Sequence, residues 1–249
     1  MRNYRITLLI LLTAAVVVSG AAITSFRTQN RADEKPHRKS QKMIEQENRL
    51  PIADYNAAEP ADPKEKEKRE AKAKKYTRTE LSVELEQEAI VASSHWAGEL
   101  PAIPASQSAL IVTGTVSQAK AELTPKRKKV YSEFTVVVDE VLKNDELAPI
   151  LSGSTFTADR AGGRVRYPSG KVGLYWVTGQ GMPQVGMKYL LFLTKTDPKS
   201  GYSILTGYEL RDGRIHLLDD PGSGHPITAS EGADAPSFLN QVRSTIANP

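Results

Sequence analysis

Hydrophobic and polar positions follow three different patterns along the chain. Residues 6–26 (ITLLILLTAAVVVSGAAITSF) are apolar, with no charge and no proline. That length matches the roughly 20 residues of a membrane-spanning helix. Residues 27–80 reverse the pattern, with 26 charged side chains and no glycine. Such a segment has too few apolar groups to bury a core. Asp62-Pro63 nevertheless predicts a helix start, with Asp as N-cap and Pro in the first helical position. The following KEKEKREAKAKKYTRTE places Glu and Lys three and four residues apart, which supports a solvated helix. Apolar a and d positions are missing, so a coiled coil is not expected. A second helix is predicted over 79–92, where Leu81, Leu85, Ala89 and Ala92 recur at helical spacing. Pro101 and Pro104 then make an extended connector.

From residue 109 the period becomes two. Leu110, Val112, Gly114 and Val116 share one face of 109–118. In 130–143, Phe134, Val136, Val138 and Leu142 point one way, and Tyr131, Glu133, Thr135 and Asp139 mostly the other. Alternation in β-branched residues marks half-buried strands. Further strands are predicted over 154–160, 171–178, 188–195 and 202–210. The last turns through Asp212-Gly213, a strong hairpin signal, into 214–218. A final helix is expected over 235–248, with Phe238, Leu239, Val242 and Ile246 as its buried stripe and Asp234 or Ser237 as its cap. Sixteen of the 17 glycines lie at or after Gly98. Short strands with Gly-rich turns predict an all-β globule, a small closed barrel or sandwich. The expected organisation is a signal or anchor helix (1–26), a charged low-complexity stalk and linker (27–108), the β domain (109–220), and a loop with the C-terminal helix (221–249).

Charge refines this picture. The 249 residues hold 33 Lys and Arg against 29 Asp and Glu, with a pI near 9.1. Residues 1–80 hold 17 against 11, a net of +6, and residues 81–249 hold 16 against 18, a net of −2. The basicity belongs to the stalk, so a nucleic-acid partner is not expected of the folded domain. The stalk reads either as a basic tether or as a solvated spacer. The chain has no cysteine, which excludes a disulfide scaffold, a thiolate zinc site and a cysteine nucleophile.

Arg2 and Arg5 before the apolar run give the layout of a secretory signal. Ser19 and Ala21, or Val18 and Gly20, supply small residues for cleavage, so a cleaved signal and a retained anchor both fit. Arg27, Arg31, Lys35, Arg38, Lys39 and Lys42 follow the run, and the positive-inside rule alone would keep the bulk of the chain in the cytoplasm. Its position at the extreme N-terminus favours export instead. The expected location is the cell membrane with the folded domain outside the cytoplasm, or the periplasm if the signal is cleaved.

Two resemblances rest on motifs. Val112-Thr113-Gly114-Thr115-Val116, the series Phe134, Val136, Val138, Val141 and Lys143, a Gly-led strand at 153–160, and Gly186 with Tyr189 to Phe192 together resemble the netrin-like OB-type barrel over about residues 109–218. The resemblance implies an OB-like β-barrel. Netrin-like modules usually carry disulfides and this chain has none, so metalloprotease inhibition is not carried over. Tyr131–Phe134 (YSEF), 160–170 (RAGGRVRYPSG), 179–183 (GQGMP) and 206–210 (TGYEL) are similar to a group of uncharacterised exported bacterial proteins, and imply membership of that group without an activity.

Candidate chemistry is sparse. His37, His95, His216 and His225 stand apart with no paired-His spacing, so no metal is expected. His216 is expected to be exposed or capped on a strand face. Residues 163–171 resemble a phosphate loop only briefly, because Val172 stands where Ser or Thr would hold magnesium. A hairpin reversed by Pro168-Ser169-Gly170 fits better. Glu133, Asp139, Glu140, Asp159 and Glu209 are carboxylates that could meet on one surface, and paired acids can run glycoside hydrolysis. Strand carboxylates more often face water or pair with a neighbour, and Arg160, Arg164 and Arg166 stand near Asp159. Arg160, Arg164, Arg166, Tyr167, Lys171, Tyr175 and Trp176 fall in one hairpin region, and Arg forks with aromatic faces suit polysaccharide, phosphate or single-stranded nucleic acid, of which export argues against nucleic acid. Core and rim packing is the competing role for Tyr175 and Trp176. The expectation is a non-enzymatic binding or assembly module without a cofactor, partnered by the membrane through residues 6–26 and by an envelope polymer or protein. A carboxylate-dependent hydrolase of an envelope polymer is the alternative.

Overall fold

A computed structural model describes residues 49–77, 91–93, 100–195 and 200–248. The apolar run 6–26 and its basic flank lie outside the described residues. Among those described, no helix is long and apolar enough to cross a membrane.

Strands dominate. In chain order they are β1 (Ile52–Asp54), β2 (Val91–Ser93), β3 (Leu110–Leu123), β4 (Val130–Lys143), β5 (Thr155–Ala161), β6 (Gly163–Arg166), β7 (Val172–Val177), β8 (Lys188–Thr194), β9 (Tyr202–Arg211) and β10 (Arg214–Leu217). Helix α1 (Pro63–Thr77) lies between β1 and β2, and α2 (Ala235–Ala247) ends the fold. One sheet has the order β10-β9-β5-β4-β3-β8, and β8 pairs again with β9. The other has the order β1-β6-β7-β2, with β1 and β2 parallel to their neighbours at its two edges.

The large sheet curls because β3 serves two partners. Its first half pairs with β8 and its whole length with β4, with register shifts at Ile111/Val112, Thr113/Gly114 and Val116/Gln118. Irregularities of this kind bend a strand and increase its twist. Gly114 sits at the bend, where an added Cβ would lie 2.5 Å from Val137 O and 2.7 Å from Val136 Cγ1. Gly114→Ala is therefore expected to cost about 1–3 kcal/mol by overpacking, read as a lower urea midpoint. An unchanged midpoint would remove this account of the bend.

The curl encloses most of the face predicted from sequence: Leu110, Val112, Val116, Phe134, Val136 and Val138 pack with Ala158, Leu191, Leu193 and Ile204. Leu142, expected with them, packs on the opposite layer, because the register of β4 against β3 shifts between Val138 and Glu140 and again between Val141 and Lys143. Strand β8 is buried on both sides, and Leu190 and Phe192 face the opposite way with Ile111, Tyr208 and Ile215. Helix α2 covers this second layer with Phe238 and Val242, and Leu239 and Ile246 flank them. Asp234 caps it by accepting from Ser237 N at 3.0 Å. The C-terminal helix thus forms where its stripe and cap predict it.

Two expectations change. The sheet is not a true barrel: β8 meets β9 along six register pairs, but β5 meets β9 only at Ala158↔Tyr202 and Asp159↔Ser203. Beyond Ser203, β9 is taken up by β8, so the ring has a short seam there. The expected helix over 79–92 falls mostly outside the described residues, and its end is strand β2, paired with Tyr175 to Val177.

The loop between β4 and β5 is built around buried Asp145. Its carboxylate accepts from Lys195 Nζ at 3.0 Å, Tyr202 OH at 2.8 Å and Leu147 N at 3.0 Å. Asn144 accepts from Ile150 N and donates to Ile150 O, both at 2.9 Å. The loop so held presents Leu147 and Leu151 to solvent at 89% and 73% exposure. Burial pushes the Asp145 carboxyl up, but the three donors outweigh it and hold it below its ordinary value. A depressed carboxyl contributes stability above the unfolded value, near pH 4, and loses it as pH falls through the folded one. Asp145→Asn is expected to flatten the loss of stability below about pH 4, measured by urea unfolding across pH. An acid limb as steep as in the unaltered chain would contradict this.

Candidate functional site

Helix α1 forms for the local reasons predicted. Asp62 accepts from Lys64 N at 2.9 Å, Pro63 opens the helix, Glu65 stands in its first turn, and Lys74 and Lys75 stand in its last. These placements complement the helix dipole. Its polarity on all sides suits a solvated helix. It nevertheless lies on the outer face of β3, β4 and β5, with Lys72 only 2% exposed.

Opposite charges account for the docking. Arg69 Nε donates to Leu123 O at 2.9 Å, and its guanidinium lies 3.5 Å from both Glu122 and Glu59. Three residues on, Lys72 Nζ donates to Glu133 and stands 3.5 Å from Asp159 Oδ2. Lys75 Nζ and the Tyr76 hydroxyl both donate to Asp159 Oδ1. The Tyr76 ring stacks on Tyr131, with centroids 5.1 Å apart and planes 11° from parallel. Lys129, from the basic β3–β4 turn, donates to Tyr76 O at 2.8 Å and satisfies a carbonyl of the last helical turn.

Positions 69, 72 and 76 share one helix face, and their targets share one sheet face. Glu133 and Asp159 are directly opposed across β4 and β5. Their neighbours Phe134 and Ala158 point into the core, so the alternation turns both carboxylates outward. Burial and the Asp159 charge push the Tyr76 hydroxyl well up. Burial lowers Lys75, and the attraction of Asp159 offsets this only in part. Beside the contact, residues 52–60, α1, β3 and β4 enclose a cleft of about 490 Å³, lined by Ala53, Arg69, Lys72, Glu122, Tyr131 and Glu133 among others.

The other carboxylates do not join this pair. Asp139 pairs with Lys188 at 2.9 Å, Glu209 with Arg211 at 3.1 Å and Glu140 with Arg243 at 2.9 Å. His216 meets Glu231 at 2.8 Å, as a capped strand histidine. Among the described residues, no group of three or more His, Asp or Glu side chains could hold a metal.

The β6–β7 hairpin forms as expected, and its seven candidate residues separate. Arg164 and Arg166 share a face with Leu174 and Trp176, by the register Arg164↔Leu174 and Arg166↔Val172. Arg166 is exposed, and Arg164 and Trp176 are half-buried. Lys171 is exposed in the turn. Tyr167 and Tyr175 are buried on the opposite face with Ala121, Leu123 and Val130, and their hydroxyls are hydrogen-bonded to each other. Arg160 is 2% exposed and forks onto Asp219 at 2.7 and 2.8 Å. It is a core clamp, not a surface ligand group. The partners of Asp159 are Lys72, Lys75 and Tyr76, rather than the nearby arginines.

Sequence reasoning missed the α1 residues that pair with the sheet. Their signal is the spacing Arg69-x-x-Lys72-x-x-Lys75-Tyr76, with one aromatic closing an otherwise polar helix. No known family model matches the chain, and no curated protein matches it significantly.

Proposed function

We propose that the chain is a non-enzymatic binding or assembly module of the cell envelope. In this reading residues 6–26 direct it to the membrane, as a retained anchor or a cleaved signal, and the folded domain works outside the cytoplasm. The curled sheet is read as a partly open OB-type barrel. The ring order β3-β4-β5-β9-β8 and the short β5–β9 seam support that reading. Counting β3 as the first strand, OB-type barrels use the face of the second and third strands for extended ligands. Here that face is β4–β5, the surface on which α1 lies.

The single observation that carries the proposal is the paired contact of α1 with Glu122, Glu133 and Asp159. A sheet face that receives a charged helix through matched groups is organised for recognition. The hydrolase alternative draws less support. A glycosidase pair needs two carboxyls open to one substrate, but Asp159 is fully buried and both carboxylates are occupied by lysines.

The test uses the full chain carrying Lys72→Glu and Lys75→Glu, whose arm is repelled by its own face. A synthetic peptide of residues 62–77 is expected to bind this variant one to one, and less tightly as salt rises. The unaltered chain, with its face occupied, is expected to bind far less. Failure of the peptide to bind the variant would overturn the recognition reading. Export has its own check: alkaline phosphatase fused after residue 249 is expected to be active, and an inactive fusion would place the domain in the cytoplasm.

A further inference from the structure

The contacts of residues 49–77 have no need to be made within one chain. Strand β1 adds three residues to the edge of β6, and α1 rests on the outside of the large sheet. Both can leave without drawing out a central strand. The arm runs into β2 through residues 78–90, thirteen residues. A chain of that length can span up to about 45 Å when extended.

We propose that residues 49–77 of one copy seat on the β3–β4–β5 face of a second copy, making this face the joint of a self-assembly. The inference rests on the reading of the face as a recognition surface and names its occupant. A second copy presents the same Arg69, Lys72, Lys75 and Tyr76 at the same spacing. The contacts are then identical within and between chains. The balance is set by the tether and the local concentration. Charge also favours the encounter: residues 63–77 hold seven Lys and Arg against three Glu, whereas residues 81–249 are net negative. Opposed fields of this kind steer association. Asp159 is fully buried, and among the described residues its Oδ2 accepts no hydrogen bond and faces Lys72 Nζ at 3.5 Å. That contact is met equally well by an arm of the same chain or of a second copy.

The experiment mixes two reciprocal variants of the full chain in detergent, Lys72→Glu and Glu133→Lys. Each alone places like charges together. In the mixture, complementarity returns only between chains. The double variant, Lys72→Glu with Glu133→Lys, restores it within a chain and controls for folding. Native mass spectrometry is expected to show heterodimer about tenfold above the dimer of either variant alone. A mixture that stays monomeric while the double variant regains protection of α1 against amide exchange would overturn the proposal. A second measurement does not rely on charge reversal. Copies with a donor dye at Lys66→Cys are mixed with copies with an acceptor at Lys120→Cys, each the sole cysteine of its chain. Energy transfer that grows after mixing supports exchange of arms, and its absence overturns it. Peptide binding without heterodimer would reject the joint and leave the recognition reading standing.

Discussion

Asp219→Ala is expected to lower the unfolding free energy by about 3–5 kcal/mol, the usual cost of removing one partner from a buried ion pair. Asp219 is 1% exposed. It accepts from both Arg160 Nη atoms at 2.7 and 2.8 Å, from Thr206 Oγ1 at 2.8 Å and from Gly181 N at 2.8 Å. These bonds tie β5, β9 and the loop after β7 to the segment that leaves β10. The alanine would leave the Arg160 guanidinium buried with only the carbonyls of Gly181 and Leu205 as acceptors. Removing the charge from both sides should cost less, because no buried ion is then left alone. The double variant Arg160→Met, Asp219→Leu should therefore be more stable than Asp219→Ala. Urea unfolding measures both. A loss below about 1 kcal/mol, the scale of an exposed ion pair, would show that the clamp does not hold these strands.

Lys72→Glu is expected to detach α1 and leave the curled sheet folded. The substitution sets a third carboxylate against Glu133 and Asp159, in a site where the native ammonium is almost wholly buried. Lys75 alone would then face three acids. The docked fraction should fall by about a hundredfold or more, or about 2.7 kcal/mol. Limited proteolysis should then cut within residues 63–77 and spare the sheet. Lys72→Met separates charge from packing: it keeps the buried stem but leaves both carboxylates short of a cation, and should give an intermediate cutting rate. If Lys72→Glu resists cutting as well as the unaltered chain, the ion pairs do not hold the arm.

Legibility in the sequence followed the range of the interaction. The strands of the large sheet were readable because an enclosed core imposes a period of two, as in Phe134, Val136 and Val138. Helix α2 was readable from the stripe of Phe238 and Val242 and the cap at Asp234, all within one segment. The start of α1 was readable from Asp62-Pro63, but its burial was not. Lys72 finds Glu133 sixty-one residues away, and Lys75 finds Asp159 eighty-four residues away. No apolar stripe announces such a contact, since the helix is held by paired charges. Arg160 was misread for the same reason. Its polar hairpin suggested a surface, and its partner Asp219 lies 59 residues on. Strands β1 and β2 are too short to show a period, and parallel edge pairing has no local turn signal.

This placement changes what the charged segment can do. A freely solvated spacer would only set distance from a membrane. An arm seated on the β4–β5 face joins its cations to the acids of the sheet in one contact. Amide hydrogen exchange of α1 in the unaltered chain tests that claim most directly. A 15-residue helix is marginal in isolation, so the exchange rate reports docking. The amides of residues 66–77 are predicted to exchange at least about tenfold more slowly than in the synthetic 62–77 peptide, and to lose that protection in Lys72→Glu. Exchange as fast as in the free peptide would contradict the docked arm.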